Sequence, residues 1–164
     1  MQIEERRAGR ARVLPPEREV RLFRLQPPGK ADRFWIAPGG GLDQDETIEA
    51  CLRRELREEL GLMDFRIGAL VWRRYHTFDW GRRRISQREE YRIVEVPRFD
   101  PVMTDEVEAR NVVTHRWWPI AELRHARERL TPLSLPAILA RYLAEGAPAQ
   151  VPAEEVLVDD RAVS

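Results

Sequence analysis

The chain has one cysteine, one lysine (Lys30), three histidines, no net charge and no long apolar run. Each shortage excludes something. A lone Cys51 can close no internal disulfide, and it fits a reducing cytoplasm. With 28 basic residues cancelling 28 acidic ones, the chain lacks the basic excess that general nucleic-acid or membrane binding requires. No stretch approaches the roughly 18 consecutive apolar residues of a spanning helix. The opening MQIEERRAGR has charges with no apolar run behind them, so no signal peptide is expected. His76, His115 and His125 lack metal-ligand spacing and read as ordinary strand or surface residues.

What remains is the balance of a globular domain, 43% hydrophobic and 34% charged over 164 residues, enough to bury one core. The basic residues are almost all arginine, a usage that fits a GC-rich coding genome better than a catalytic role. Hydrophobic alternation predicts strands over Arg10 to Leu14 and Glu19 to Leu25, parted by Pro15-Pro16. A third strand, Arg33 to Ala37, runs into Pro38-Gly39-Gly40-Gly41. A helix follows over Ile48 to Leu60. A long hairpin then pairs Phe65 to Phe78 with Arg84 to Val96 around Asp79-Trp80-Gly81. A polar connection, Asp100 to Arg110, leads to a strand at Val112 to Trp118. Pro119 opens a short helical piece ending near His125, and Leu135 to Glu145 is a closing helix. Strands with one helix in the middle and another at the end predict an α/β (α+β) layered domain, a mixed sheet between helices. Residues 1–146 read as one domain, and 147–164, rich in Ala, Pro and acid, as a loosely ordered tail.

The informative segment is Gly40 to Leu62, GGLDQDETIEACLRRELREELGL. Three glycines after a strand permit backbone approaches that side chains would block. Thr47 is placed to cap the helix and Gly61 to stop it. Ile48, Leu52, Leu56 and Leu60 recur every four residues as a buried stripe. Glu55, Glu58 and Glu59 stand at i, i+3 and i+4, so their carboxylates gather on a neighbouring side. Carboxylates so crowded repel one another, and a hard divalent cation such as Mg²⁺ or Mn²⁺ relieves that repulsion. Mg²⁺ also shares itself with substrate phosphates, so acids beside a glycine-rich loop point to phosphate chemistry. A solvated helix laced by Arg53, Arg54 and Arg57 would explain each glutamate singly, but not the glycine loop and the spacing together. Cys51, on the same helix, reads as a small buried residue.

This segment resembles the Nudix box, G-x5-E-x7-R-E-U-x-E-E-x-G-U, where U is aliphatic. Gly40, Glu46, Arg54, Glu55, Leu56, Glu58, Glu59, Gly61 and Leu62 fill every fixed position. Pro38-Gly39-Gly40 before the box and Trp117 through Leu123 after it also look like family features, and the flanking organisation is similar from about Arg6 to Glu145. The resemblance implies an α/β/α sandwich and a Mg²⁺- or Mn²⁺-dependent pyrophosphohydrolase. Its small-molecule substrate would be a nucleoside diphosphate linked to another moiety, and water would attack phosphorus. Nucleoside triphosphates, dinucleoside polyphosphates and nucleotide sugars all stay open. Glu58 and Glu59 are implied as principal metal ligands, Glu55 as a further ligand or the base, and the Gly40 carbonyl as another ligand. Arg54 and Glu46 would brace the loop and orient the carboxylates. The resemblance also admits a homodimer.

Carboxylates committed to a metal are poor proton acceptors, because the cation stabilises their charged form. Many relatives place another acid on a loop beyond the hairpin. Here that loop holds Glu106, the first choice, and Glu108, the runner-up; a plain solvated acidic loop is the competing account. Two other functions stand beside hydrolysis. A catalytically silent nucleotide-binding module would bind without turnover. Isopentenyl diphosphate isomerase needs a reactive cysteine away from the box, and Cys51 lies inside it. Trp72, Tyr75, Phe78 and Trp80 pack the core, cover the hairpin or stack on a base. Most of Arg73, Arg74, Arg82, Arg83, Arg84 and Arg88 read as solvated hairpin charges.

Overall fold

A long parallel pairing frames the molecule, a computed structural model that describes residues 3–102 and 111–159. Glu106 and Glu108 therefore lie outside the described residues. Strand β1 (Ile3–Leu14) runs parallel to β6 (Arg83–Glu95) from Ile3↔Arg84 to Leu14↔Glu95. The first half of β1 was not legible as a strand, because IEERRAGR is charged; the backbone of β6 recruits it all the same. On the other edge of β1 lies β4 (Gly39–Gly41), antiparallel, with Gly9 opposite Gly40. β5 (Leu70–Trp80) pairs with β6 across a two-residue Gly81-Arg82 turn, with Gly81 at φ 63. The strand begins at Leu70 instead of Phe65, although Gly68 and Ala69 still bond to Ile93 in β6.

These strands make a five-stranded mixed sheet in the order β4-β1-β6-β5-β9, whose last member is β9 (Glu155–Val158). A second, four-stranded mixed sheet joins β2 (Glu19–Leu25) to β7 (Val112–Pro119) and β3 (Phe34–Ile36), and β3 to β8 (Arg129–Thr131). The predicted mixed sheet is thus divided in two. The expectation of a loosely ordered tail is corrected for Glu155–Val158, which pair in parallel with Arg74 to Thr77. Two valines and a leucine in this stretch suit a sheet edge, and β5 offers one.

Helix α1 (Ile48–Leu60) begins at Thr47, whose hydroxyl accepts from the Ala50 N–H at 3.1 Å. It ends at Gly61, left-handed at φ 70, whose N–H donates to the Arg57 carbonyl at 3.0 Å. Leu52, Leu56 and Leu60 are buried against Ala11, Val13, Phe23 and Ile36. Helix α2 (Leu135–Glu145) covers a second cluster, where Leu135 and Leu139 meet Val20, Leu22, Trp35 and Ile93. Between β7 and β8 runs a 3-10 segment, Ile120–His125. The two helices therefore dock on separate clusters to which both sheets contribute. That leaves the glycine end of the five-stranded sheet for other work.

Candidate active site

The face of α1 turned to β4 presents Cys51, Glu55 and Glu59, one residue per turn, all buried. Burying carboxylates is costly unless partners compensate. Glu59 Oε1 accepts the Gly39 N–H at 2.8 Å, and Glu55 Oε1 accepts from Arg54 at 2.8 Å. Glycines opposite make room for them. A Cβ on Gly39, at φ 131, would meet the Gly9 carbonyl at 2.1 Å, and one on Gly40 would meet Glu55 Oε1 at 2.7 Å. The space between strand and carboxylates exists because those side chains are absent.

Arg54 ties the loop to the helix. It donates to both Glu46 oxygens at 2.9 Å and to the Gly41 carbonyl at 3.2 Å, and it reaches Glu58 at 3.6 Å. That guanidinium holds the Glu46 carboxyl down at about 2, and the Asp43 N–H, 3.0 Å from Glu46, adds to the effect. Arg54 thus joins Glu46 and the glycine strand to α1. Cys51 gives its S–H to the Gly40 carbonyl at 3.3 Å, and burial pushes the thiol up to about 11. A thiol so placed stays protonated and is no nucleophile.

The carboxylates open onto a cavity of about 360 Å³ between the two sheets. Its floor is a charged lattice that the sequence reading missed. Glu89, 2% exposed, accepts from Arg74 at 2.6 Å and from Gln87 at 3.0 Å, and pairs with Arg10 at 3.7 Å. Burial pushes the Glu89 carboxyl up, but Arg74 and Arg10 outweigh it and hold it below its ordinary value. Arg10 also donates to the Gly39 carbonyl at 3.0 Å, joining the floor to the glycine strand. Arg6 bonds to Gln87 at the near edge. The signal was available in alternation: Arg6, Arg10 and Arg12 share one face of β1, whereas Gly9, Ala11 and Val13 share the other.

The remaining expectations divide. Arg74 and Arg84 are buried rather than solvated, whereas Arg82, Arg83 and Arg88 are exposed. His76, 9% exposed, lines the cavity with Phe78 and Trp80, while His125 is a surface residue. Trp72 packs against the α2 cluster, and Tyr75 donates to Glu5. Glu55 and Glu59 line the cavity itself, and Glu58 is half-buried on the neighbouring side of α1.

The donor set suits a hard cation: carboxylates on one helix, with glycine carbonyls across a gap that a single Cβ would fill. Among the described residues no three acidic, histidine or cysteine side chains close into a metal-sized cluster.

The NUDIX domain family model matches residues 5–139. The chain belongs to the NUDIX family. Solved structures share its fold at low identity. The MutT protein of Methanosarcina mazei Go1 is 17% identical, over 90% of this chain and 99% of that one, with a TM-score of 0.62. A C. elegans Ap4A hydrolase is 15% identical over 85% and 98%, with a TM-score of 0.60. The NUDIX domain of Shewanella oneidensis NrtR, crystallised with ADP ribose, is 17% identical over 85% and 88%, with a TM-score of 0.63. No curated protein is a significant match. The family match ends at residue 139, before β9.

Proposed function

We propose that this Nudix hydrolase cleaves the diphosphate bond of a nucleoside diphosphate linked to another moiety, with Mg²⁺ or Mn²⁺ as cofactor. The observation that carries the reading is the pair of buried carboxylates, Glu55 and Glu59, facing a glycine strand in which Gly39 has no room for a side chain, at the mouth of a cavity large enough for a small ligand. Glu58 and Glu59 are the proposed principal ligands, with Glu55 and the Gly40 carbonyl completing the set. The bound cation supplies charge neutralisation at the diphosphate oxygens.

The chain's own groups do the rest. Arg54, locked on Glu46 and touching Glu55, fixes the carboxylates so that little reorganisation accompanies the reaction. Arg10 and Glu59 hold Gly39 from its carbonyl and its N–H, which keeps the glycine strand in register beside α1. Glu106 is the proposed acceptor of the attacking water's proton on the sequence argument alone, with Glu55 the alternative. Glu106→Gln should lower kcat well beyond any change in KM, and Glu108→Gln controls for lost charge.

A panel of nucleoside triphosphates, dinucleoside polyphosphates and nucleotide sugars, run with Mg²⁺ in ¹⁸O-water, tests the proposal. Label in a phosphate-bearing product supports it. Binding without turnover across the panel would favour the silent module instead, and label in a sugar hydroxyl would mean another reaction.

A further inference from the structure

Strand β9 does more than close a sheet. Its backbone runs along β5, and the residue that follows it, Asp159, is pinned from two directions. The Asp159 N–H donates to the Thr77 carbonyl at 2.8 Å, and the Asp159 carbonyl accepts from Arg84 at 2.8 Å. Upstream, Arg73 donates to the Pro152 carbonyl at 3.0 Å and Arg88 grips Glu154 at 2.8 Å. So anchored, the Asp159 side chain enters the wall of the cavity that also holds Glu55 and Glu59. His76 Nε2 lies 3.0 Å from Asp159 Oδ1. Burial lowers the His76 proton affinity. The Asp159 side chain is one-third exposed, so it keeps acceptor capacity beyond His76. Phe78, tilted against His76 with ring centroids 4.8 Å apart, and Trp80 line the same region with apolar surface.

We propose that Asp159, delivered by the C-terminal strand β9, is a specificity-determining residue that selects nucleobases carrying an exocyclic amino group over uracil. The inference rests on the nucleotide reading above and sharpens it. A carboxylate accepts hydrogen bonds and donates none, so it pairs with the amino edge of cytosine, adenine or guanine and repels a carbonyl at the same place. Cytosine and uracil make the cleanest contrast, because they differ at that edge by amino against carbonyl. An aromatic wall beside a fixed acceptor is a common way to hold and read a base.

The test compares CTP with UTP, both in kcat/KM with Mg²⁺ and in metal-free calorimetric binding of CMP and UMP. The wild-type protein should favour the cytidine compounds by about tenfold or more, the discrimination a charged hydrogen bond provides. Asp159→Asn supplies an amide that donates as well as accepts, so the preference should collapse to within about threefold, chiefly by better uridine binding. Asp159→Ala should weaken cytidine binding without that gain, and thermal melts confirm that each variant is folded. Equal use of both bases by the wild-type protein, or a preference unchanged in both variants, overturns the inference and leaves the hydrolase reading standing. Failure of the wild-type protein to bind or cleave any nucleotide overturns both.

Discussion

At one end of the cavity, two buried carboxylates come from a single face of α1 and meet three consecutive glycines. At the other end, Arg10, Arg74, Glu89 and Asp159 arrive from β1, β5, β6 and the end of β9. The first region is built from neighbours in the chain, and its carboxylates face a gap kept open by missing side chains. The second is built across four strands, and its Arg10, Arg74 and Glu89 satisfy one another. One end is arranged to exchange partners with a ligand's metal; the lattice at the other is arranged to stay as it is, with Asp159 beside it. A charged lattice that compensates itself makes a rigid floor, which is what a site that orients a ligand requires.

Several substitutions sharpen that contrast, and the largest effect falls at the glycine strand. Gly39→Ala places a Cβ 2.1 Å from the Gly9 carbonyl at a φ of 131. Stability should drop by about 4 kcal/mol or more in urea denaturation, an exceptional value for so small a change. A loss under about 1 kcal/mol would mean that β4 tolerates a side chain and that the gap is not built on glycine.

Next comes the floor. Glu89→Gln removes the anion between Arg74 and Arg10 and should cost about 3 kcal/mol, because it leaves buried cations uncompensated. Its pH dependence has a definite sign. The Glu89 carboxyl lies below its ordinary value of 4.5 in the folded protein, so its contribution is complete above about pH 4.5 and is lost as pH falls through the lower folded value. Wild type and variant stabilities should therefore converge in acid. A constant gap between them from pH 7 downward would show that the charge of Glu89 is not what matters.

The smallest effect is expected where charge is buried without purpose. Arg12 is fully buried over the Tyr91 ring at 4.3 Å, and among the described residues its three nitrogens have no hydrogen-bond partner. Burial pulls its guanidinium down to about 10. Arg12→Met keeps volume and removes the desolvated charge, so it should raise stability by about 1 kcal/mol. Destabilisation by a similar amount would show that the ring contact outweighs the cost of burial.

The same contrast explains how much could be read before the fold was known. Thr47, Gly61 and the leucine stripe obey local rules, and helix α1 begins and ends where those rules place it. Glu55 and Glu59 fall on the glycine side because helical spacing alone puts them there. Arg10, Arg74, Glu89 and Asp159 carry no such local signature. Their roles follow from the register of β1 on β6 and of β9 on β5, and long-range register is set by which strands find each other. His76 looked ordinary for that reason, and the C-terminal segment looked loose because its partner, β5, lies far back in the chain.

The central claim is that the α1 end of the cavity holds a divalent cation through Glu58 and Glu59. Calorimetric titration of Mn²⁺ into the wild-type protein, Glu58→Gln and Glu59→Gln, with circular dichroism to verify folding, tests it directly. Each variant should remain folded, bind Mn²⁺ at least about tenfold more weakly, and lose most turnover in step with metal affinity. Wild-type Mn²⁺ affinity and wild-type turnover in both variants would contradict the account.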